Sequence, residues 1–386
     1  MLSLVGSLLI LYYLHSTHSK APRFSSSIRG ISNAETPFVT IIVTARNEEE
    51  KIGACLSSLT KQEYANFEVV VVDDSSIDRT RDIALEVAAR DNRIRVFSAG
   101  PKPQGWVGKS FACFRGYESS RGEILLFVDA DSTFHRSVVL DSVNYLLAKN
   151  YDILSISPRV NLKGILAMST LPLVSCAIDL LYPLTKVNDE KSERAYVFGT
   201  FILVKKKVYE AIGGHRAVRD LIVEDAAIAQ RAKSSGFKLR VELGPEFLST
   251  DWEHEPRKIY SGLERVTSTS IRKYGLASIL NAVLLFFLAI YPILFAVFVV
   301  LTSLDNSVLI VGFFASLLNI SIFLAIFASE TRLVAGKVGF IPLLYPLGVL
   351  IFISAIVTTS VKVSRGRGIE WKGDSYTQSI ASKQQS

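Results

Sequence analysis

Short β-branched runs alternate with helically spaced apolar positions through the first part of the chain. Phe38 to Thr44 is a β-branched run of the length and composition of a buried strand. Glu48 to Thr60 follows with Ile52, Leu56 and Leu59 on one helical face. Glu68 to Val72 predicts a second strand ending at Asp73-Asp74. Arg79 to Arg90 predicts a second helix, with Asp78 as its N-cap. Ile94 to Phe97 predicts a third strand. A Gly/Pro-rich loop from Gly100 to Gly108 leads into a helix over Lys109 to Ser119. The apolar run Ile124-Leu125-Leu126-Phe127-Val128 then predicts a strand that ends at Asp129-Ala130-Asp131. Repeated strand–helix units with continuous apolar strands indicate an α/β fold: a mostly parallel sheet with helices on both faces. No internal repeat is visible.

The pattern changes after Asp131. Val138 to Ala148 reads as a helix and Asp152 to Ser157 as a strand. Ile165 to Leu184 is apolar but broken by Pro172, Asp179 and Pro183, and is expected to lie in the membrane interface or dip into the bilayer. Val197 to Val204 predicts a strand, followed by a short helix from Lys205 that ends at Gly213-Gly214. Ile222 to Ser235 predicts a helix with Glu224-Asp225 in its first turn, where the helix dipole favours carboxylates.

Three later segments, Ser278 to Leu301, Ser307 to Ala328 and Val338 to Val361, contain no Asp, Glu, Lys or Arg. Each has the roughly 20 residues needed to cross a hydrocarbon core. The apolar run Leu2 to Leu14 lacks a leading basic residue and a small-residue cleavage site, so it is read as an uncleaved anchor. The expected organisation is an anchor and linker over 1–34, a catalytic domain over 35–275, transmembrane helices over 276–361 and a basic tail over 362–386. Lys20, Arg23 and Arg29 place the domain at the cytoplasmic face of a multi-pass cell-membrane protein. The same rule conflicts with the tail. Three crossings put it outside, yet it carries Lys362, Arg365, Arg367 and Lys372.

Composition agrees with a split chain. Of 386 residues 49% are hydrophobic and only 20% charged, with the apolar excess at the start and after Ala277. The net charge of +7 raises the question of nucleic acid. Basic flanks on a membrane protein explain it, and the tail lacks the basic–aromatic interleaving of a single-strand groove. No nucleic-acid partner is expected. Cys55, Cys113 and Cys176 show no metal-ligand spacing and are expected only to pack.

Asp129 and Asp131 lie at a strand's carboxyl end, where α/β sheets bind ligands. Two carboxylates at this spacing share a divalent cation, and that cation holds a diphosphate. Asp73 and Asp74 are acceptors suited to the imide N–H of a base or a ribose hydroxyl. Glu48 and the backbone from Thr44 to Arg46 line the same strand end and are expected to hold the base. Lys109 opens a helix after a glycine-rich loop, a place for a phosphate contact. The spacing is not that of a Walker A loop. Arg265 and Arg272 lie on a helix just before the membrane, within reach of a diphosphate or of lipid headgroups. Trp252 and His254 are weaker candidates for the border of an acceptor pocket.

Pro37-Phe38-Val39-Thr40-Ile41-Ile42-Val43 with Ala45-Arg46-Asn47-Glu48, and Val72-Asp73-Asp74-Ser75-Ser76-x-Asp78-x-Thr80, resemble the opening motifs of family 2 glycosyltransferases. Asp129-Ala130-Asp131 matches that family's metal motif and Glu224-Asp225 its acidic pair. Gly105-Trp106-Val107-Gly108-Lys109, Leu181-Tyr182-Pro183 with Val187-Asn188-Asp189, and Trp371-Lys372-Gly373 resemble the membrane-bound subgroup associated with hopanoid and carotenoid lipids. Asp374 departs from that subgroup, which has Arg there.

The resemblance implies a GT-A fold, a UDP- or GDP-sugar donor, and Mg²⁺ or Mn²⁺ held directly by Asp131, with Asp129 nearer the ribose. It also implies Asp225, beside Glu224, as general base of an inverting transfer. The function expected is transfer of a sugar to a membrane-lipid hydroxyl within the lipid bilayer. The alternatives are a polyprenyl-phosphate transferase, a polysaccharide synthase, and a non-catalytic membrane scaffold or transporter. The synthases' Gln-x-x-Arg-Trp motif is absent, and the predicted spans lack the midplane charges of a transporter.

Overall fold

A computed structural model describes residues 2–26, 36–252, 255–302, 306–365, 367–371 and 374–376. The chain divides into two compact units. An α/β unit comprises Ala21–Asn161 and Tyr182–Asp251; a helical unit comprises Met1–Lys20, Leu162–Leu181 and Trp252–Ser386. Helix α1 (Leu2–Ser19) belongs to the helical unit. The α/β unit then runs β1 (Val39–Ala45), α2 (Ile52–Thr60), β2 (Phe67–Asp73), α3 (Thr80–Ala88), β3 (Ile94–Ser98), α4 (Gly108–Glu118) and β4 (Ile124–Asp129). Next come β5 (Ser132–Phe134), α5 (Val138–Ala148), β6 (Ile153–Ser157) and β7 (Arg159–Asn161). After α6 (Ile165–Leu181), in the helical unit, the α/β unit resumes with α7 (Leu184–Val187), β8 (Phe201–Lys205), α8 (Lys206–Ala211) and α9 (Gly214–Ala217). It ends with α10 (Glu224–Ser234), β9 (Leu239–Leu243) and β10 (Leu248–Asp251).

Seven strands form one sheet in the order β3-β2-β1-β4-β8-β6-β9, and β5-β10-β7 form a second. In the large sheet only β8 runs against its neighbours, β4 and β6; the other adjacent pairs are parallel. The continuous apolar runs are explained by burial on both faces. Val39, Ile41, Val43, Val69 and Val71 pack with Ile52, Leu56 and Leu59 of α2 and Val139 and Val143 of α5. Val70 and Val72 point the other way, onto Phe111 and Ala112 of α4. Alternate residues of a strand face opposite sides, so a doubly covered strand needs no polar alternation. At the base of the sheet Glu68 is buried and ionised. Burial opposes its charge, but Arg121, Thr40 and Arg95 outweigh that and hold it below the usual glutamate range. Cys55 and Cys113 are buried free thiols and Cys176 is a half-buried one, as expected of packing residues.

The helical unit adds α11 (Pro256–Tyr274), α12 (Leu276–Ala289), α13 (Tyr291–Thr302), α14 (Ser307–Ala335) and α15 (Tyr345–Ser364), then a hairpin of β11 (Ile369–Trp371) and β12 (Asp374–Tyr376). Three stretches, Leu276–Thr302, Ser307–Ala335 and Ile341–Ser364, are long and apolar enough to cross a membrane. Their outward positions are apolar too: Leu301 is 78% and Val308 75% exposed. A surface of this kind marks a membrane or protein interaction site. The first stretch is two helices meeting at Ile290, and the second continues past Ala328 to bring in Glu330. At 17 residues α6 is shorter. Lys362, read from sequence as a basic flank, is paired with Glu264 of α11 at 2.7 Å, so it contributes no net charge to the tail. Lys372 and Gly373 lie outside the described residues.

Candidate functional site

The carboxyl ends of β2, β1 and β4 are in register. Ala45 lies opposite Asp73, and Thr44 opposite Asp129. The acidic residues that follow these strands therefore reach one edge of the sheet. Helix α2 begins at Ile52 rather than Glu48 because residues 47–51 form a loop that engages the loop after β2. Asn47 and Ser75 both take left-handed φ, 56° and 60°. Asn47 N donates to Ser76 Oγ at 3.0 Å, Ile77 N to Asn47 Oδ1 at 2.9 Å, and Glu48 N to Thr80 Oγ1 at 2.7 Å. Asp78 takes the Thr80 N–H at 3.0 Å and the Glu49 N–H at 3.2 Å, but it lies one residue before the N-cap of α3, which is Arg79 and has no side-chain cap. The Ser-Ser-x-Asp-x-Thr pattern is thus a clasp between two loops.

That clasp seats Arg46, Asp73 and Asp74. Asp73 and Asp74 are 5% and 8% exposed, and Asp73 Oδ1 accepts from Ser76 N at 3.3 Å. Arg46 Nη1 lies 3.7 Å from Asp74 Oδ2. Gly108 is needed here, since a Cβ would fall 2.5 Å from Asp74 Oδ2 and 3.6 Å from Arg46 Nη1. Gly108→Ala is expected to displace Asp74 and raise the KM for a nucleotide donor by about tenfold, the scale of a small misplacement of a positioning group. Donor-dependent kinetics measure it, and an unchanged donor KM would remove Asp74 from donor recognition.

Lys109 is the centre of a second group. Its ammonium lies 2.9 Å from Asp129 Oδ1 and 3.0 Å from Glu224 Oε1. Burial alone would lower its pKa, but Asp129, Glu224 and Asp225 together hold it well above the ordinary lysine value. Asp225, in the first turn of α10, is close by. A Cβ on Gly199 would lie 2.7 Å from Asp225 Oδ2 and 3.5 Å from Lys109 Nζ. Gly199 precedes β8, whose Phe201 pairs with Val128. Because β8 is reversed, its leading residues arrive at the edge where β4 ends. The shorter β8, starting at Phe201 rather than Val197, leaves Phe198 to donate its N–H to Ser155 Oγ at 2.9 Å.

Asp131 sits just past β4. Thr250 of β10 and Ser132 donate to its Oδ1 at 3.1 and 3.3 Å. Burial, then Asp129 and Glu48, push its pKa up to about 7 against the pull of Lys51 and Thr250. A carboxyl raised by neighbouring carboxylates is where a cation is most stabilising. Asp129 and Asp131 offer the oxygen donors that Mg²⁺ and Mn²⁺ take.

Beneath this group, buried His215 shares a contact with Tyr209. Its backbone N–H donates to Tyr209 Oη at 3.0 Å, and the same hydroxyl is hydrogen-bonded to His215 Nδ1 at 2.9 Å. Burial pushes the His215 pKa down from 6.5 to about 4; Glu224 opposes this and Lys109 adds to it. The unfolded chain takes up a proton below pH 6.5 while the folded one stays neutral until about pH 4, so this group removes stability across that window, roughly 3 kcal/mol in all. His215→Gln is expected to abolish that loss. Thermal melts of both proteins across the window check it, and an equal acid loss in the two would exclude His215.

Thr250 and Gly199 are not legible in the sequence because their neighbours Asp131 and Asp225 are distant in the chain, and Tyr209 and His215 because their pairing follows no motif. Arg265 and Arg272 lie on α11 of the helical unit. The side chain of Arg272, and His254, lie outside the described residues.

Fold and acid cluster together define an α/β domain of the GT-A type. Residues 40–213 match the Glycosyl transferase family 2 model. Glu224 and Asp225 fall beyond the matched stretch. Among curated proteins it is similar to the 4,4'-diaponeurosporenoate glycosyltransferase of Staphylococcus aureus strain bovine RF122 / ET3-1, 31% identical over 217 residues. The enzyme of strain USA300 is 30% identical over the same length. Each alignment covers 55% of this chain and 55% of the relative; the chain spans about half the length of the curated relatives it matches. Among solved structures it resembles a Pyrobaculum calidifontis mannosyltransferase in complex with GDP-mannose and Mn²⁺. The TM-score is 0.55 at 17% identity, over 93% of this chain and 95% of that one, a likeness of fold.

Proposed function

We propose that this protein is a multi-pass, membrane-bound, inverting glycosyltransferase that moves a sugar from a UDP- or GDP-sugar to a lipid hydroxyl at the cytoplasmic face. One observation carries the reading: three acidic pairs, Asp73-Asp74, Asp129/Asp131 and Glu224-Asp225, meet at one edge of a GT-A sheet in a chain with three membrane-length apolar stretches.

In this reading Asp73 and Asp74 accept hydrogen bonds from the base and ribose, beside Thr44, Arg46 and Glu48. Asp131 and Asp129 hold a divalent cation, which when bound neutralises the departing diphosphate. Lys109 fixes Asp129 and Glu224 relative to each other and keeps positive charge beside the phosphates. Asp225 accepts the proton of the acceptor hydroxyl as its oxygen attacks the anomeric carbon. One displacement, with one base, inverts that carbon. The relatives named for diaponeurosporenoate favour a second reading, in which an apolar carboxylate is the acceptor and arrives already ionised.

Detergent-purified protein incubated with UDP- and GDP-sugars, Mg²⁺ or Mn²⁺ and total membrane lipid tests the proposal. Nucleotide release that requires both lipid and metal is expected. Release at the same rate without lipid would point to a water-soluble acceptor and sink the lipid assignment.

A further inference from the structure

Three helices of the helical unit each present one metal-ligating side chain to the same point. We propose that His18 of α1, Asp179 of α6 and Glu330 of α14 form a binding site for a divalent transition-metal cation, separate in residues and in role from the acidic edge of the α/β unit. The His18, Asp179 and Glu330 ligand atoms lie within 4.8 Å of one another. His18 Nε2 is 2.9 Å from Asp179 Oδ2 and 3.4 Å from Glu330 Oε1.

The helical repeat explains the convergence. Leu14, Ile322 and Ile326 pack together, with Cys176 and Leu180 against them. One turn further along, Leu14 is succeeded by His18, Ile326 by Glu330 and Cys176 by Asp179, so one apolar layer is followed by one polar layer. Two neighbouring serines hold the cluster: Ser175 Oγ donates to Glu330 Oε2 at 2.9 Å, and Ser329 Oγ lies 3.5 Å from His18 Nδ1. Support of the second ring nitrogen is the usual way a liganding histidine is oriented.

An ion pair alone does not satisfy this cluster. The Glu330 side chain is 0% exposed, and its Oε1 is buried with no hydrogen-bond partner among the described residues. A protonated His18 balances only one of the two carboxylates, so without a cation the other must take up a proton, and Glu330 Oε1 still has no hydrogen-bond partner among the described residues. A neutral imidazole, two carboxylates and a divalent cation sum to zero and occupy Oε1. One nitrogen and two oxygen donors suit Zn²⁺, which accepts three protein ligands and keeps a fourth position open. The His18 and Asp179 side chains, each 16% exposed, leave a side for entry. The site ties the helix at residues 2–19 to α6 and α14, so its role is structural.

The test uses the full chain in detergent with Asp131→Ala, which removes the candidate catalytic metal, and Zn²⁺ as the probe. After loading and desalting, about one Zn²⁺ per chain is expected, together with a higher melting temperature. Adding Glu330→Gln or Asp179→Asn to Asp131→Ala should cut retained Zn²⁺ by about tenfold or more and abolish the thermal shift. Two independent variants guard against one failing to fold. Co²⁺ in place of Zn²⁺ should give visible absorption bands that vanish with either variant. The inference is overturned if Asp131→Ala retains no Zn²⁺, or if the added substitutions leave retention and spectrum unchanged. Neither result bears on the glycosyl-transfer proposal.

Discussion

Replacing Asp131 by alanine is expected to lower sugar transfer by about a thousandfold or more, with folding intact. The carboxylate is raised to about 7 by burial, Asp129 and Glu48, so its loss relieves electrostatic crowding in the free protein. The melting temperature of the metal-free protein should therefore hold or rise while turnover collapses. That split separates a ligand from a scaffold residue, because a structural carboxylate would lower both. Nucleotide release, with a thermal melt of the same sample, measures the two quantities. Near wild-type turnover in Asp131→Ala would end the metal-site assignment. Excess Mn²⁺ should not rescue it, since Asp129 alone leaves the cation one carboxylate where the pair offers two.

Asp225→Asn is expected to cost between about 10² and 10⁴ in kcat with a hydroxyl acceptor, the range of general-base catalysis. The amide keeps the size of the side chain and its place in the first turn of α10. It also preserves an oxygen for the Ala226 N–H that now bonds Asp225 Oδ1 at 2.7 Å. The donor KM should stay nearly constant. With an apolar carboxylate or a polyprenyl phosphate as acceptor, the nucleophile is already ionised and the same change should cost little. The variant thus reports acceptor chemistry as well as residue role. A loss seen in donor KM instead of kcat would make Asp225 a binding residue and leave the base unassigned.

Much of this architecture is legible in the sequence. The strands of the α/β unit announce themselves because β1, β2 and β4 are covered on both faces and so read as unbroken apolar runs. The acidic pairs are legible for the same reason: a strand's end fixes where the next residue goes, so Asp73, Asp74 and Asp129 are placed by their own strands. The rest depended on contacts between remote segments. Lys109 reads locally as a residue opening a helix after a glycine loop. Its pairing with Glu224 depends on the return of α10 to the sheet edge. Thr250 reaches Asp131 only through the second sheet. Glu330 lay beyond the expected end of its apolar segment, where the local pattern treats a carboxylate as a boundary. Packing among α1, α6 and α14 turns it into an interior group. Helix starts moved for a local reason, since residues 47–51 bond to the neighbouring loop and delay α2.

The reversed strand β8 has a consequence for how this protein can change. Loops that follow β1, β2 and β4 build one side of the sheet edge, while the segment leading into β8 builds the other. These stretches are not contiguous, and their anchoring hydrogen bonds do not overlap. Insertions or substitutions in the segment before Phe201 can reshape the surroundings of Asp225 and leave the clasp around Asn47, Ser76 and Asp78 untouched. Under the proposed function, acceptor choice and donor choice are then separable by substitution.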